Sequence, residues 1–166
     1  ALRSSCIYNW ALSRLCEKYR KWGDIVKAQC LDYKQNMQFY EDDSNINQLI
    51  ALMDKPKKTS FESFIVGLHP YSKADLCTYI AIRLIYQYKF DEALQQLDRC
   101  SGSGSDVLLA DPFIIHINDC HDCDFQLPKE VEYTKYTFVK RMIELQNKAQ
   151  VDTKNAAQYY FLLANG

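Results

Sequence analysis

The sequence predicts an all-α protein, on three observations. Gly 5 and Pro 4 make 9 of 166 residues, about 5%, where soluble proteins average roughly 12%. Apolar residues recur at helical spacing along most of the chain. Two segments open with a Ser or Thr followed three residues later by an acidic residue, which is a start signal of helices. Turn-rich β-sandwiches and barrels are therefore disfavoured.

The sequence of the N-terminal region predicts three helices. The first covers residues 4–22 and ends at Gly23. The second covers residues 26–40, where apolar residues stand at offsets of 0, 4, 7, 11 and 14. The third follows a cap at Ser44 and stops before Pro56. The predicted apolar residues of the first two helices are Cys6, Trp10, Ala11, Leu15, Tyr19 and Trp22, then Val26, Cys30, Tyr33, Met37 and Tyr40.

Two capping boxes start the next helices. The box Thr59–Glu62 opens a short helix, and the weaker box Ser72–Asp75 opens one that runs to about Tyr88. A further helix covers residues 91–100. We therefore expect the first domain, residues 1–100, to consist of helical hairpins.

The helical pattern then breaks and returns. Residues 101–128 carry five aspartates and no Lys or Arg, a formal charge of −5, and we predict a non-helical excursion there. The last domain, residues 129–166, is predicted to hold a helix over 129–148 and a final helix after Asp152. We expect Tyr160, like Tyr33, to lie in the core. Because the apolar pattern is unfinished at the last residue, we expect the chain to be cut from a longer protein.

Composition and charge argue against two kinds of partner. Apolar residues make up 48% and charged residues 25%, a globular balance. The net charge of −1 argues against a strongly basic nucleic-acid binder. No apolar run approaches the roughly 20 residues that span a bilayer, and no signal peptide opens the chain. We expect neither a nucleic-acid partner nor a membrane span in this chain.

One stretch has the residue pattern of a helical hairpin. We expect the small side chains of Ala81 and Ala93 to let the two predicted helices pack closely, and Phe90 to fill the space at the turn between them. This pattern resembles the tetratricopeptide repeat, although Tyr88 stands where that family has a glycine. The resemblance implies a superhelix of stacked hairpins whose groove binds a protein or peptide and has no enzymatic activity.

A second resemblance lies in the C-terminal half. Asp111-Pro112-Phe113, residues 116–124 (HINDCHDCD) and residues 159–166 (YYFLLANG) are similar to helical-repeat proteins of bacterial cell envelopes, often lipoproteins. The resemblance implies a periplasmic or lipid-anchored location. No activity follows from it.

The acidic segment is the part of the sequence richest in metal-ligand types. Cys120 and Cys123 have the spacing at which two thiolates share one zinc ion, and His116 or His121 supplies a third ligand. No second Cys-x-x-Cys is present, so a complete site needs a distant Cys or an Asp. The alternative function is therefore a zinc-binding module or a metal-dependent enzyme; otherwise we expect no cofactor.

Other interpretations of the same segment stay open. Cys120 and Cys123 form a disulfide if the protein leaves the cytoplasm, whereas a redox motif is less favoured because no helix start follows. Haem attachment fails because Asp124 follows the second cysteine. The plainest interpretation is ordered packing of the segment on the helices through its apolar residues.

The chain has seven cysteines, an odd number, so they cannot all pair internally. Five lie among apolar residues of predicted helices, where we expect small buried hydrophobic side chains. These five are Cys6, Cys16, Cys30, Cys77 and Cys100.

Overall fold

A computed structural model describes residues 6–109, 111–113 and 131–166 of the chain. The regular elements of these residues are helices, apart from one isolated antiparallel bridge between Val107 and Thr134. The α-helices are α1 Cys6–Lys21, α2 Ile25–Leu31, α3 Asp43–Asp54, α4 Ser60–Val66, α5 Lys73–Tyr86, α6 Phe90–Arg99, α7 Lys135–Val151 and α8 Ala156–Asn165, with a 3₁₀ helix at Met37–Glu41. The predicted all-α class is confirmed. Among these helices, none has the length and apolar character needed to cross a bilayer.

The chain divides into two compact units, residues 1–76 and residues 77–166. The core of the first unit is built from α1, α2, the 3₁₀ helix, α3 and α4. Its buried apolar side chains include Leu12, Cys16, Val26, Cys30, Leu31, Phe39, Ile46, Leu49, Ile50 and Ile65.

The predicted inward face of α1 is wrong at its two tryptophans. Trp10 is 64% exposed and Trp22 is 69% exposed, while Leu12 and Cys16 are buried. The buried stripe therefore lies on another side of the helix, and the two tryptophans face solvent.

The second predicted helix is also wrong beyond residue 31. Helix α2 ends at Leu31, and Asp32 takes over the local hydrogen bonds: its carboxylate accepts from Lys34 N at 3.1 Å, and its carbonyl oxygen accepts from Gln35 N at 3.0 Å. Asp side chains compete with the helix for backbone N–H groups in this way. Consequently Tyr33, predicted to be core, is 65% exposed.

Helix starts follow the side-chain caps. The predicted box Thr59–Glu62 is confirmed, with both reciprocal hydrogen bonds in place. Ser72 and Asp75 also bond reciprocally, as predicted. Helix α3 begins two residues earlier than predicted because Asp42, not Ser44, is its cap.

The second unit packs α6, α7 and α8 with the part of α5 that follows residue 76. Helix α7 starts at Lys135 instead of 129, because the Thr134 side chain caps it and residues 131–134 are non-helical. The buried apolar side chains of this unit include Cys77, Ile80, Ala81, Leu84, Phe90, Ala93, Leu97, Cys100, Phe138, Val139, Met142, Leu145 and Ala149.

Helix α8 differs from the others because it has no buried residue. Tyr160, predicted to be core, is 58% exposed, and Phe161 is 48% exposed. The residues at spacing i, i+3, i+4 and i+7 from Ala157, which end at Ala164, are all apolar and all exposed.

Candidate functional site

Helices α5 and α6 are connected at both ends. A three-residue link, residues 87–89, joins the end of α5 to the start of α6. Near the other end a disulfide links Cys77 of α5 to Cys100, the residue after α6, with their Cα atoms 6.3 Å apart. Because the short link joins the two helices at one end and the disulfide joins them near the other, the helices run antiparallel. Sequence analysis missed this bond, because nothing in the spacing of the two cysteines distinguishes a pair from two buried thiols.

The three residues predicted to pack a hairpin lie in this pair. Ala81 and Ala93 are fully buried, and Phe90 at the turn is 4% exposed. Their burial is what the predicted hairpin needs, since a larger side chain at either alanine would not fit without repacking of its neighbours.

The link between α5 and α6 holds Tyr88 in a left-handed conformation. Its φ is +59°, and the N–H of Lys89 donates to the carbonyl oxygen of Leu84 at 2.9 Å. This six-to-one hydrogen bond around a left-handed residue is the Schellman helix ending, where glycine is the usual occupant. For an L-residue with a side chain the left-handed region costs about 1–2 kcal/mol. The side chain of Tyr88 therefore makes this backbone conformation less favourable than it would be for glycine.

Two exposed tyrosines lie at this turn, one at the end of α5 and one in the link. Tyr86 is 82% exposed and Tyr88 is 80% exposed. The ring of Tyr88 meets the buried Phe90 edge-on, with centroids 6.4 Å apart. The α5–α6 turn therefore presents a pair of exposed aromatic rings, one of which is backed by a core residue.

The disulfide also lies beside the start of α7. Thr78, next to Cys77, accepts a hydrogen bond on its Oγ1 from Gly104 N at 2.9 Å, and the Gly104 carbonyl accepts from Tyr136 N at 3.1 Å. Gly104 has a φ of +64°, and an added Cβ would lie 2.9 Å from Leu97. These contacts fix the residues that lead out of α6 against the first turn of α7.

The first unit contains a buried polar network instead of a cross-link. Tyr40, 3% exposed, donates its hydroxyl hydrogen to Gln35 Oε1 at 2.6 Å. The same hydroxyl oxygen lies 2.9 Å from His69 Nε2. The other ring nitrogen, His69 Nδ1, lies 3.0 Å from the Tyr71 carbonyl oxygen and 3.3 Å from Tyr71 N. Both ring nitrogens of His69 therefore have polar partners inside the unit.

Burial of this network shifts two pKa values. Desolvation lowers the pKa of His69, partly offset by the nearby Tyr71 carbonyl, which favours the charged ring. Desolvation also raises the pKa of Tyr40. Both groups are therefore held neutral at physiological pH. The network extends to Gln29, 2% exposed, whose Nε2 donates to Gln35 Oε1 at 3.1 Å and to the Asn36 carbonyl at 3.3 Å.

The three cysteines of the first unit are free thiols. Cys16 and Cys30 are buried as predicted, whereas Cys6 is exposed, contrary to prediction. Burial raises the pKa of Cys30 to about 12 and also raises that of Cys16. Neither buried thiol is suited to nucleophilic chemistry, which requires the thiolate.

The predicted zinc ligands His116, Cys120, His121 and Cys123 lie outside the described residues. Within the described ranges, no group of three or more His, Cys, Asp or Glu side chains is placed to hold a metal ion. The zinc hypothesis therefore stays a prediction.

The comparisons identify no relative. No family model, no curated protein and no solved structure matches this chain.

Proposed function

We propose that this chain is a helical-repeat module, similar to tetratricopeptide repeats, that binds a protein or peptide partner and is not an enzyme. Tyr88 carries the proposal. A tyrosine that is 80% exposed occupies a left-handed helix ending where glycine would relieve the strain. A residue in a strained backbone conformation, whose mostly exposed side chain adds little packing to offset the strain, is typical of a functional position.

The chemistry of the turn suits a binding surface. Tyr86 and Tyr88 offer large rigid rings that lose little side-chain entropy when a partner covers them. Tyrosine is also enriched among the residues that dominate binding energies. We infer that a partner covers these two rings.

The arrangement of α5 and α6 supports the repeat interpretation. Ala81 of α5 and Ala93 of α6 are both fully buried, as the hairpin that the sequence resembles requires. Helix α8 adds an uncovered apolar face with Tyr160 and Phe161, as expected of a hairpin whose neighbour would stack on it.

The disulfide supports a further part of the proposal, the location. Disulfides form and persist in oxidising compartments and are rare in the cytosol. A buried link between Cys77 and Cys100 fits a protein of the bacterial cell envelope, in the periplasm or anchored through a lipid.

Peptide selection tests the proposed function. Random dodecapeptides displayed on phage are selected on the immobilised full chain, and the affinity of each recovered peptide is measured by fluorescence anisotropy. We expect Tyr86→Ser to weaken binding about tenfold, because truncation of a central interface residue costs about 1–2 kcal/mol.

Trp10→Ser is the control at another exposed aromatic residue. Trp10 is 64% exposed and lies in the first unit, so this variant should bind as the unchanged chain does. Failure to recover any specific peptide, or equal affinity in Tyr86→Ser, would contradict the proposal.

A further inference from the structure

Two clefts lie side by side in the first unit and share Arg20. The larger has a volume of about 260 Å³ and is lined by residues of α1, α2, the 3₁₀ helix and α3. The smaller has a volume of about 180 Å³ and is lined by residues of α1, by Leu31 of α2 and by the three residues after it; its charged lining residues besides Arg20 are Glu17, Asp32 and Lys34. Both volumes lie below the roughly 300–1,000 Å³ of pockets that hold small-molecule cofactors. Because the two clefts share Arg20, one short extended chain can contact both.

Carboxamides dominate the lining of the larger cleft. Its polar lining residues besides Arg20 are Gln29, Asn36, Gln38 and Asn45. A carboxamide offers both an N–H donor and a C=O acceptor, the two kinds of group that alternate along a peptide backbone. The cleft therefore matches the polarity of a peptide main chain and not that of a purely anionic ligand.

The buried network fixes the orientation of one of these amides. Both N–H groups of Gln29 are used, one toward Gln35 and one toward the carbonyl of Asn36. Its Oε1 is left to accept a hydrogen bond from a bound chain. Gln38, in contrast, makes no side-chain hydrogen bond within the described residues and is exposed.

Arg20 is the one charged residue that lines the larger cleft in the described part of the chain. Its Nη2 donates to Asp32 at 2.5 Å, and its side chain is 47% exposed. Within the described residues its Nε and Nη1 donate no hydrogen bond. A guanidinium has five N–H donors in a planar fork, so one edge of Arg20 remains able to bind a second carboxylate.

We propose that these two clefts form a second binding site, for an extended peptide segment whose aspartate or glutamate side chain binds Arg20 while the carboxamides bind its main chain. The site is separate from the tyrosines at the α5–α6 turn and does not depend on them.

Chemical-shift titration of the isotope-labelled full chain tests this site. The probe is an acetylated and amidated pentapeptide, Ala-Gly-Asp-Gly-Ala, and its counterpart with Asn in place of Asp. We expect saturable shifts below about 10 mM at Gln29, Asn36 and Gln38, with the Asp peptide about fivefold tighter than the Asn peptide. Equal affinity of the two peptides, or no saturable shift, would overturn the proposal.

Two variants locate the charge contact. Arg20→Gln should abolish the preference for the Asp peptide, whereas Arg14→Gln should keep it, because Arg14 is an ion-paired residue of the same helix that lines neither cleft. Gln38→Ala should weaken both peptides equally and keeps the Arg20–Asp32 ion pair, so it tests the carboxamides if Arg20→Gln is unstable. A preference that survives in Arg20→Gln would contradict the site.

Two further arms separate this site from other outcomes. Succinate at the same concentration should not reproduce the shifts; if it does, the ligand is a free carboxylate and the peptide assignment fails. Tyr86→Ser should leave the titration unchanged. Loss of the pentapeptide signal alone therefore refutes this site and leaves the proposed function of the tyrosines standing.

Discussion

Two helix pairs, one in each unit, end their first helix with the same backbone geometry and different residues. In α1–α2 the N–H of Asp24 donates to the Tyr19 carbonyl at 3.0 Å around Gly23, whose φ is +79°. In α5–α6 the equivalent bond closes around Tyr88, at a φ of +59°. The first pair uses the residue that the geometry favours, and the second uses a residue that the geometry penalises.

The same two pairs use their cysteines differently. Cys16 of α1 donates its Sγ hydrogen to the Ala28 carbonyl at 3.3 Å, and Cys30 of α2 is also a buried thiol. Cys77 and Cys100 are covalently linked across the second pair. The pair that carries the strained, exposed tyrosine is thus the pair with the cross-link. The difference indicates that the strained turn of α5–α6 is stabilised by a covalent bond, whereas α1–α2 has neither the strained turn nor the covalent bond.

Removal of the cross-link should have the largest effect on this comparison. The two cysteines are 23 residues apart, and a loop of this size corresponds to about 3 kcal/mol in the chain-entropy model. We expect the double variant Cys77→Ala and Cys100→Ala to lose about this much free energy of unfolding in urea denaturation followed by circular dichroism. Cys6→Ala, at an exposed free thiol, is the control and should change it by less than about 0.5 kcal/mol. A double variant as stable as the parent would show that the second pair does not rely on its disulfide.

Disruption of the buried network should have the next largest effect, in the unit that lacks a described cross-link. Tyr40→Phe removes the hydroxyl that bonds Gln35 Oε1 and His69 Nε2 inside the core, and a buried polar group left unsatisfied costs about 1–3 kcal/mol. Tyr33→Phe makes the same chemical change at a residue that is 65% exposed and should be neutral. Equal stability of the two variants, measured by urea denaturation, would refute the network's contribution.

A side chain at the first helix ending should reproduce the strain of the second. Gly23→Ala should cost about 1 kcal/mol, because its φ of +79° is left-handed while an added Cβ meets no atom within 4 Å, so the loss is conformational and not steric. Gly67→Ala is the control, since Gly67 has a φ of −68° that any residue adopts. If both variants unfold at the same urea concentration as the parent, left-handed strain is not significant in these turns.

Acid should weaken the first unit through His69, with the smallest effect. Because burial lowers the His69 pKa below its usual 6.5, the unfolded chain takes up the proton first as the pH falls. This stabilisation is complete above about pH 6.5 and is lost as the pH falls through the folded pKa. We expect His69→Gln to flatten the stability profile over this range. The other two histidines, His116 and His121, are present in both proteins, so identical slopes would show that His69 makes no contribution.

The sequence predicted the helices well because most are amphipathic and several start with a local cap. Each capping pair lies within four residues, Thr59 with Glu62 and Ser72 with Asp75, so its pattern can be recognised from the sequence alone. The prediction failed where side chains compete with the helix, as at Asp32, and where large aromatic residues dominate the choice of face, as at Trp10 and Trp22. At Trp10 and Trp22 the prediction failed because large aromatic residues are usually assigned to a core, whereas these two are exposed.

The candidate sites were only partly predictable. Sequence analysis identified Tyr88 as a departure from the repeat pattern, because the glycine position was known from the resemblance. The disulfide and the network of Tyr40 with His69 join residues that are 23 and 29 positions apart. Only the folded chain brings such pairs together.

Tyr88→Gly is the most direct test of the central claim, that strain at the α5–α6 turn is retained for binding. Stability and affinity for a selected peptide are measured on the same variant, by urea denaturation and fluorescence anisotropy. We expect glycine to raise the free energy of unfolding by about 1 kcal/mol and to weaken peptide binding several-fold. A variant that binds as tightly as the parent, or that is less stable than it, would contradict the claim.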